Sequence, residues 1–514
     1  PAMNEPNVLV VGHCTDTTAR IFCVSYSDAD PAAQARLRWW TDKGGPSGTV
    51  DLATEDKPPF RTALFELQGL PAESTIHYAV RIAVPAALAT DAEMQAGTAH
   101  AFRTLPNSRP LRIAFVSCNG VYGIKDARRR YVVWKRLKKQ IDEGKVDLVV
   151  HGGDQIYADH LPKEYDKLHP GESPDVKNDA HVEDLTQLYR TLYAQSWNGG
   201  VVADVLASVP NIMTWDDHDI YDGYGSHKDH NDNDDLHQAY FRAARTAYLE
   251  FQKSHGPDPL EPTSTLGVVA HNGVGIVLLD SRTNRDCRVN QVLGKSQMEA
   301  LKSWANTSAQ GLRRLYVVSS IPVLHAHVAG VLRAVDWTGA YSGIDDDLRD
   351  SWLAPENLTE CASLVKWMFT VHTTEGGPQV TVLAGDVHVA TLSWLQSALP
   401  QHVKQSTVLP RIYQVTSSGI GTDPEAAWKR KLIRLAMGKR LTLGAPELTG
   451  ELMQVNGSDD VMIPRRNFVT LDLEDDTETD GWDRHGNLKL TYHVENHDSS
   501  DCDSLVQVLN GPGI

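Results

Sequence analysis

The chain has 514 residues, 41% of them hydrophobic and 22% charged, and carries a formal charge of −17 at pH 7. That apolar content can fill a large core and excludes a wholly disordered chain; the excess of 66 acidic over 49 basic residues is the reverse of what a general nucleic-acid binder carries. No run of about 18 apolar residues is present to span a membrane, and the scattered cysteines, without a Cys-x-x-Cys pair, suggest neither a disulfide framework nor a zinc ribbon.

The chain opens Pro1-Ala2-Met3-Asn4 and runs almost at once into Val8-Leu9-Val10-Val11. With Met3 as the native start there is no room for a signal peptide and a cytoplasmic location is expected; a processed chain would instead be secreted or periplasmic. The first hundred residues read as short strands at 7–12, 19–26, 35–41, 60–68 and 76–84, between Pro, Gly, Asp and Asn turns and without a helix. Strands at that spacing predict a small β-sandwich over 1–106, with Trp39-Trp40 in its core. Prolines at both ends of 105–110 read as a linker.

From residue 111 apolar runs at 112–117, 146–151, 211–215, 274–280, 315–319 and 379–384 alternate with helical periodicity at 127–141, 236–251, 297–305 and 364–369. Later runs at 411–416, 467–473 and 487–494 would complete the sheets. This alternation predicts an α/β domain over 107–514 with helix-covered sheets.

The informative residues follow the strands. The runs lead into Cys118-Asn119, into Gly152-Gly153-Asp154-Gln155-Ile156-Tyr157-Ala158-Asp159, into Asp216-Asp217-His218-Asp219, into Asp280-Ser281-Arg282 and into Gly385-Asp386-Val387-His388. In α/β sheets, sites form beyond the carboxyl ends of strands. One Gly-Asp pair is an ordinary turn; five strand ends delivering the same kinds of donor point to a site. Cys118, Tyr157, Asp154 and His388 make a mixed sulfur, oxygen and nitrogen set that favours ferric iron, with zinc the alternative. Asp154, Asp217, Asp386 and Asp222 make a nearly all-oxygen set that suits Ca²⁺, Mn²⁺ or Mg²⁺ better than Zn²⁺.

The order Ser117-Cys118, Gly153-Asp154-x-x-Tyr157, Trp215-Asp216-Asp217-His218-Asp219, Leu279-Asp280-Ser281-Arg282-Thr283 and Gly385-Asp386-Val387-His388 resembles the alkaline phosphatase D (PhoD-like) family of metallophosphoesterases, a branch related to purple acid phosphatases. Leu293-Gly294-x-x-Gln297, Asp350-Ser351-Trp352 and Val415-Thr416-Ser417-Ser418 add to the likeness. The resemblance implies a four-layer α/β/β/α sandwich preceded by a small N-terminal β-sandwich of immunoglobulin or fibronectin type. It implies ferric iron held by Cys118, Asp154, Tyr157 and His388, and a second, calcium-like site bridged by Asp154 and completed by Asp386 and the Asp217 region. His218 then stands where a histidine stabilises the transition state or protonates the leaving group. The chain departs from the pattern at Asp219, where Glu is more usual, at Asp222, where many members carry Asn, and at Ser319-Ser320, where the wider superfamily has a histidine; His325 and His327 follow slightly later.

The implied activity is hydrolysis of phosphodiesters or phosphomonoesters, small-molecule or phospholipid, by a hydroxide that two metals activate. His218 would act as general acid and Asp154 as the shared ligand. Arg282 either clamps a phosphate oxygen or pairs with Asp280 or another acid. Two rival readings remain open: a non-catalytic metal-binding or scaffold protein on the same fold, and a dinuclear hydrolase of other esters. Elsewhere, the His- and acid-rich segment 226–235 reads as a solvated loop or a further cation site. The amphipathic stretch 426–440 reads as a surface helix, or else as a lid or anionic-lipid contact. Arg128-Arg129-Arg130 reads as a solvated helix face, and the cysteines other than Cys118 as inert thiols.

Overall fold

The computed structural model describes residues 5–26, 33–83, 89–226, 235–261, 264–325, 349–403, 409–424, 426–427, 430–431, 434, 440–474 and 486–509. Residues 227–234, His327 and much of the amphipathic stretch 426–440 lie outside the described residues.

The N-terminal part contains β1 (Val8–Cys14), β2 (Thr18–Tyr26), β3 (Gln34–Trp40), β4 (Ser47–Ala53), β5 (Glu55–Lys57), β6 (Phe60–Gln68), β7 (Thr75–Ala83) and β8 (His100–Arg103). They form two four-stranded antiparallel sheets, β1-β2-β6-β5 and β4-β3-β7-β8. Alternate residues of the two sheets, among them Val11, Ile21 and Phe65 from one and Leu37, Ile76 and Val80 from the other, share one apolar cluster. The expectation of no helix is corrected by α1 (Asp91–Ala96), which a reciprocal Thr90–Glu93 capping box starts. Met94 of that helix packs with Ala79, Ala89 and Trp40. Trp39 is buried in the main cluster, whereas its neighbour Trp40, pointing to the opposite face, is half-buried under α1. Strands β4, β5 and β8 escape sequence reading because they are short or polar edge elements.

The expected linker is not free. Leu105 and Leu111 are buried, and Arg109 pairs bidentately with Asp147 at 2.6 and 2.8 Å. The Tyr78 hydroxyl donates to the Ala207 carbonyl at 2.8 Å, tying the N-terminal sheets to the α/β part of the chain.

In that part, β9 (Ile113–Val116), β10 (Leu148–Gly152) and β11 (Asn211–Thr214) are parallel. The second large sheet is built on β12 (Gly267–His271), β13 (Val274–Leu278), β14 (Arg314–Ser319), β15 (Gln379–Ala384), β16 (Ala390–Ser397), β17 (Arg411–Thr416), β18 (Leu441–Thr442), β19 (Leu448–Met453) and β20 (Met462–Ile463). The chain then returns to the first large sheet with β21 (Asn467–Glu474), β22 (Asn487–Glu495) and β23 (Cys502–Leu509). Sheet orders are β11-β10-β9-β21-β22-β23 and β12-β13-β14-β15-β17-β16-β19-β18, with β20 on β16. Strands β13, β14, β15 and β17 run parallel.

Helices α2 (Val132–Asp142), α3 (Leu161–Leu168), α4 (Asp179–Trp197), α5 (Val201–Leu206) and α6 (Asp235–Tyr248) fall in the sequence between strands of the first large sheet or just after it; α7 (Lys295–Ser308) and α8 (Leu358–Thr373) fall between strands of the second. Alternation along single strands states which face meets which layer. Ile113 and Phe115 of β9 join Tyr316 and Val318 of β14 in one cluster between the sheets. Ala114 and Val116 turn the other way, toward Trp134, Leu137, Tyr189 and Ala243 of the helices. Leu315 and Val317 of β14 meet Leu301, Leu364 and Met368. The central strands β9, β10, β14 and β15 are thus buried along their whole length, which is why they read as continuous apolar runs.

Helices α3 to α5 have no counterpart in the sequence reading. Along α4 the buried Val182, Leu185, Tyr189, Tyr193 and Trp197 recur at helical spacing, but polar residues dilute the period. The Arg128–Arg130 run precedes α2 rather than lying on it: Arg128 is exposed, whereas Arg129 pairs with Asp423 and Glu495.

Leu490 of β22 is fully buried in the layer between the two large sheets. Leu490→Ala should lower the unfolding free energy by about 2–5 kcal/mol, read by urea denaturation. A loss below about 1 kcal/mol would mean that this layer is not closely packed.

Candidate metal centre

The carboxyl ends of β9, β10, β11, β13, β14, β15 and β17 meet at one place, and the loops leaving β9, β10 and β15 are backbone-strained. Eight described non-glycine residues have positive φ, and four of them are expected ligands: Cys118 (60°), Asp154 (53°), Asp386 (69°) and His388 (50°). Such conformations cost on the order of 1–3 kcal/mol each and persist where the surroundings over-determine them. Gly153 shows how tight the meeting is. Its φ is 110°, and a Cβ there would lie 2.6 Å from Asp216 Cβ and 3.1 Å from Ser320 Cβ. A Cβ on Gly385 would fall 2.5 Å from Ser117 Oγ.

Three groups of donor atoms, each mutually within 4.8 Å, share Asp154: Cys118 with His388; Asp217 with His218; and Asp216, Asp217 and Asp386. The Tyr157 hydroxyl is 3.1 Å from His388 Nε2, on the side of the first group. Asp216 is the acid that sequence reading passes over in favour of its neighbour Asp217. It stands on the same strand end, so both acids of the Asp-Asp pair turn inward.

The electrostatics follow from packing acids together out of water. Burial, then the neighbouring thiol and carboxylates, push Asp154 well above the usual carboxylate range. Burial and the other acids do the same to Asp386. Burial raises Asp216 to about 8 against the opposing charge of Arg282. Asp217 goes the other way: burial raises it, but Arg282, His218 and the Gly223 N–H outweigh that and bring it down. Cys118 is set apart from the remaining thiols. Burial pushes Cys14, Cys23, Cys361 and Cys502 up to about 12. At Cys118 the hydrogen bond and charge of His388, with Ser117 and Ser418, overcome the same burial and bring it down to about 6.

These residues fit bound cations. Asp154 Oδ1 and Asp216 Oδ2 are buried and meet no hydrogen-bond donor, a cost that a native core rarely leaves uncompensated. Two like charges about 4 Å apart repel by roughly 4 kcal/mol at an effective dielectric of about 20, so the cluster is stable as anions only with added positive charge. The donors sort by chemistry, thiol, phenol and imidazole on one side of Asp154 and carboxylates, with His218 at the rim, on the other.

His218 lies at the rim, its side chain 18% exposed. Its Nδ1 is 2.9 Å from Asp159 Oδ2, and its ring stacks on Tyr157 with centroids 4.3 Å apart. Burial works against the imidazolium, but Asp217 and Asp159 raise its pKa well above the ordinary histidine value. Asp159 also accepts the Asp222 N–H at 2.8 Å. Asp222, expected as a ligand, has a half-exposed carboxylate 3.9 Å from His218 Nε2 and is not in the donor groups around Asp154.

Arg282 requires a correction. Its side chain is fully buried and its guanidinium is engaged by the protein. It meets Asp216 through Nε at 2.5 Å, Asp350 at 2.7 and 2.5 Å, and the Tyr224 carbonyl at 3.1 Å. It is a buried counter-charge for the acids and not an open phosphate clamp. The ion-pair alternative is the one observed, with Asp216 and Asp350 as partners; Asp280 instead accepts the backbone N–H groups of Arg282 and Thr283.

A supporting shell escapes sequence reading. Asp219 accepts from the N–H groups of Asp216 and Gln155 and from Tyr193, locking two strand ends together. Ser320 donates to Asp216 at 2.7 Å from the place where a histidine is usual. His325 is buried and outside the donor groups. Ser418 Oγ sits 3.0 Å from Cys118 Sγ and accepts the His388 N–H. Asn467, on β21, holds both Ser417 and Ser418. Ser418 belongs to a strand-end motif; Asn467 has no motif around it and is brought in only by the topology.

Among known proteins, the family model described as PhoD-like phosphatase matches residues 113–422. Alkaline phosphatase D of Bacillus subtilis is 26% identical over 348 residues, covering 63% of this chain and 54% of that protein. An uncharacterized protein of Saccharomyces cerevisiae is 21% identical over 366 residues, covering 56% of this chain and 51% of that protein. The chain thus spans about half the length of the curated relatives it matches. A solved structure titled "Structure of PhoD" aligns with a TM-score of 0.63 at 16% identity, over 100% of this chain and 92% of that one, and shares the fold.

Replacing Arg282 separates structure from substrate contact. Arg282→Met leaves Asp216 buried without its counter-charge, and Asp350 with Arg285 alone, and should cost about 3–5 kcal/mol of stability. Thermal and urea unfolding read this directly. A phosphate clamp would instead leave stability unchanged and raise KM.

Proposed function

The chain belongs to the PhoD-like phosphatase family, and from that premise we propose that it is a metal-dependent phosphoric ester hydrolase acting on phosphodiesters or phosphomonoesters, lipid headgroup esters included. The observation that carries this reading is the sharing of Asp154 between a thiol–imidazole side and a carboxylate side, with His218 at the rim. We read the helix-covered pair of large sheets as a four-layer α/β/β/α sandwich over 107–514, and the preceding small sheets as a β-sandwich domain over 1–106.

Cys118, Asp154, Tyr157 and His388 would hold ferric iron. Asp154, Asp216, Asp217 and Asp386 would hold a second, divalent ion, Ca²⁺ favoured over Mn²⁺, Mg²⁺ or Zn²⁺ because the donors are all oxygen. Bound there, the two ions would supply a nucleophilic water at neutral pH and a Lewis acid for the phosphoryl oxygens. The chain's own residues manage protons and position. Asp159 occupies His218 Nδ1, which leaves Nε2 to give a proton to the departing alkoxide. The Tyr157 ring, stacked on the imidazole, fixes its plane. Arg282 holds Asp216 in place through Nε.

Two experiments test the reading. The first is metal analysis with a visible spectrum. The unaltered protein should bind iron and show a broad phenolate-to-iron band that Tyr157→Phe abolishes. Asp154→Ala should lose both metals and reduce turnover of an aryl phosphodiester to background. Colourless protein with two zinc ions would discard the iron, and retained metal and turnover in Asp154→Ala would remove its bridging role. The second concerns the proton. His218→Ala should keep its metals and slow esters with poor leaving groups by about 100-fold or more, with little effect on good ones. The raised pKa of His218 extends its protonated range to higher pH than an ordinary histidine's, so a step needing that proton fails as pH climbs through the raised value. Asp159→Asn should move that alkaline fall to lower pH; an unmoved profile would deny the pair its role.

A further inference from the structure

Thr422 stands behind the Tyr157 oxygen. Its Oγ1 is 3.0 Å from the Tyr157 hydroxyl and 2.9 Å from the Cys118 carbonyl, and it accepts the Gly120 N–H at 3.0 Å. One hydroxyl therefore touches both strand-end loops that carry Cys118 and Tyr157. Its own segment is pinned to the same loop, since Ile420 N–H donates to Ser117 and Gly421 N–H to Cys118, at 3.0 and 3.1 Å.

The next residue explains why the segment stays there. Asp423 pairs with Arg129 at 3.0 Å and lies 3.6 Å from Arg466. Both guanidiniums also meet Glu495, Arg466 at 2.6 Å and Arg129 at 3.3 Å. Arg466 is fully buried and Glu495 nearly so. Buried members and charge-assisted, bidentate contacts set this network apart from exposed ion pairs, which are worth little. Arg466 and Glu495 belong to the C-terminal part, beyond the region that the family model matches.

The chemistry of the three oxygen and nitrogen atoms decides the direction of the bond. A phenolate accepts hydrogen bonds and cannot donate them. A histidine nitrogen that gives its lone pair to a cation carries no proton there to donate. Of the two groups next to the Tyr157 oxygen, His388 and Thr422, Thr422 is the one left to donate; its single proton has two acceptors in reach, the Cys118 carbonyl and the Tyr157 oxygen, and a charged phenolate is the stronger of the two.

We propose that Thr422 is a positioning residue for Tyr157: held by the Arg129–Asp423–Arg466–Glu495 network, its hydroxyl aims the Tyr157 oxygen and donates a hydrogen bond to it. The assignment rests on reading Tyr157 as an iron ligand. A donated hydrogen bond draws electron density from the phenolate, so its removal should bring the phenolate-to-iron band to longer wavelength.

The test uses the full chain with Thr422→Val, Thr422→Ala and Thr422→Ser, each read in two states. In metal-free protein labelled with fluorotyrosine, the Tyr157 fluorine resonance is assigned by its loss in Tyr157→Phe. It should shift in Thr422→Val and Thr422→Ala and return in Thr422→Ser. In iron-loaded protein, the visible band should move to longer wavelength in the first two variants at unchanged iron content, and return in the third. An unmoved fluorine resonance in folded Thr422→Val or Thr422→Ala overturns the positioning role. If the unaltered iron-loaded protein has no such band, Tyr157 leaves the ligand set, and the fluorine result alone then decides on Thr422.

Discussion

The structure is organised around a concentration of negative charge largely withdrawn from water. Asp154, Asp216, Asp217 and the Cys118 thiol are buried together, and the partly exposed Asp386 joins them; Arg282 sets a positive charge among these acids, the buried Arg285 pairs with Asp350 beside it, and His218 stands at the rim. Much of the local architecture serves to bring like charges together against their repulsion. The strained φ values at Cys118, Asp154, Asp386 and His388 are tolerated because rigid strands, covered on both faces, hold the loops where they are. Gly153 and Gly385 occur where any side chain would push two of those loops apart. The orphaned oxygens of Asp154 and Asp216 mark where positive charge is still wanted.

That same constraint explains which parts of the molecule are legible in the sequence. Donors at strand ends are local, so Cys118, Asp154, Tyr157, Asp217, His218, Asp386 and His388 can be read from the residue that follows each apolar run, and the structure brings them together. The part of Asp216 cannot be read, because an Asp-Asp pair does not say which carboxylate turns inward; here both do. Arg282 is ambiguous for a similar reason. Its turn position fits a substrate clamp as well as an ion pair, and only the burial that surrounds it with Asp216 and Asp350 decides. Asp350 lies 68 residues further along the chain. Helix α4 is lost to its polar dilution, and β4, β5 and β8 to their edge positions, since an edge strand need not carry an apolar face.

The support of the site is less local still. The family model ends at residue 422, yet the chain beyond it returns to the first large sheet, where β21 pairs with β9. Through that pairing Asn467 reaches Ser417 and Ser418, and Ser418 in turn touches Cys118 and His388. Arg466 and Glu495 reach the segment that ends in Asp423. Side chains that bear the chemistry lie on one stretch of chain, and side chains that hold them in register lie partly on another. The metallophosphoesterase-like portion is therefore not self-sufficient as a matched segment; its last layer of hydrogen bonds is supplied by strands that carry no motif.

The engagement of Arg282 also bears on how a phosphate ester could be received. A dianionic or monoanionic group entering a space lined by carboxylates is repelled, and the buried guanidinium is already neutralised by Asp216 and Asp350 at 2.5–2.7 Å. On the proposed reading the attraction comes from His218, whose pKa Asp217 and Asp159 raise against burial, and from cations that the acids would hold. On the proposed reading the acids do two things at once. They gather the cations that reverse the sign of the site, and by charge they keep the proton on the one side chain that has to deliver it. A single electrostatic arrangement then couples metal occupancy to substrate entry, so that the space would attract a phosphoryl group only when it is loaded.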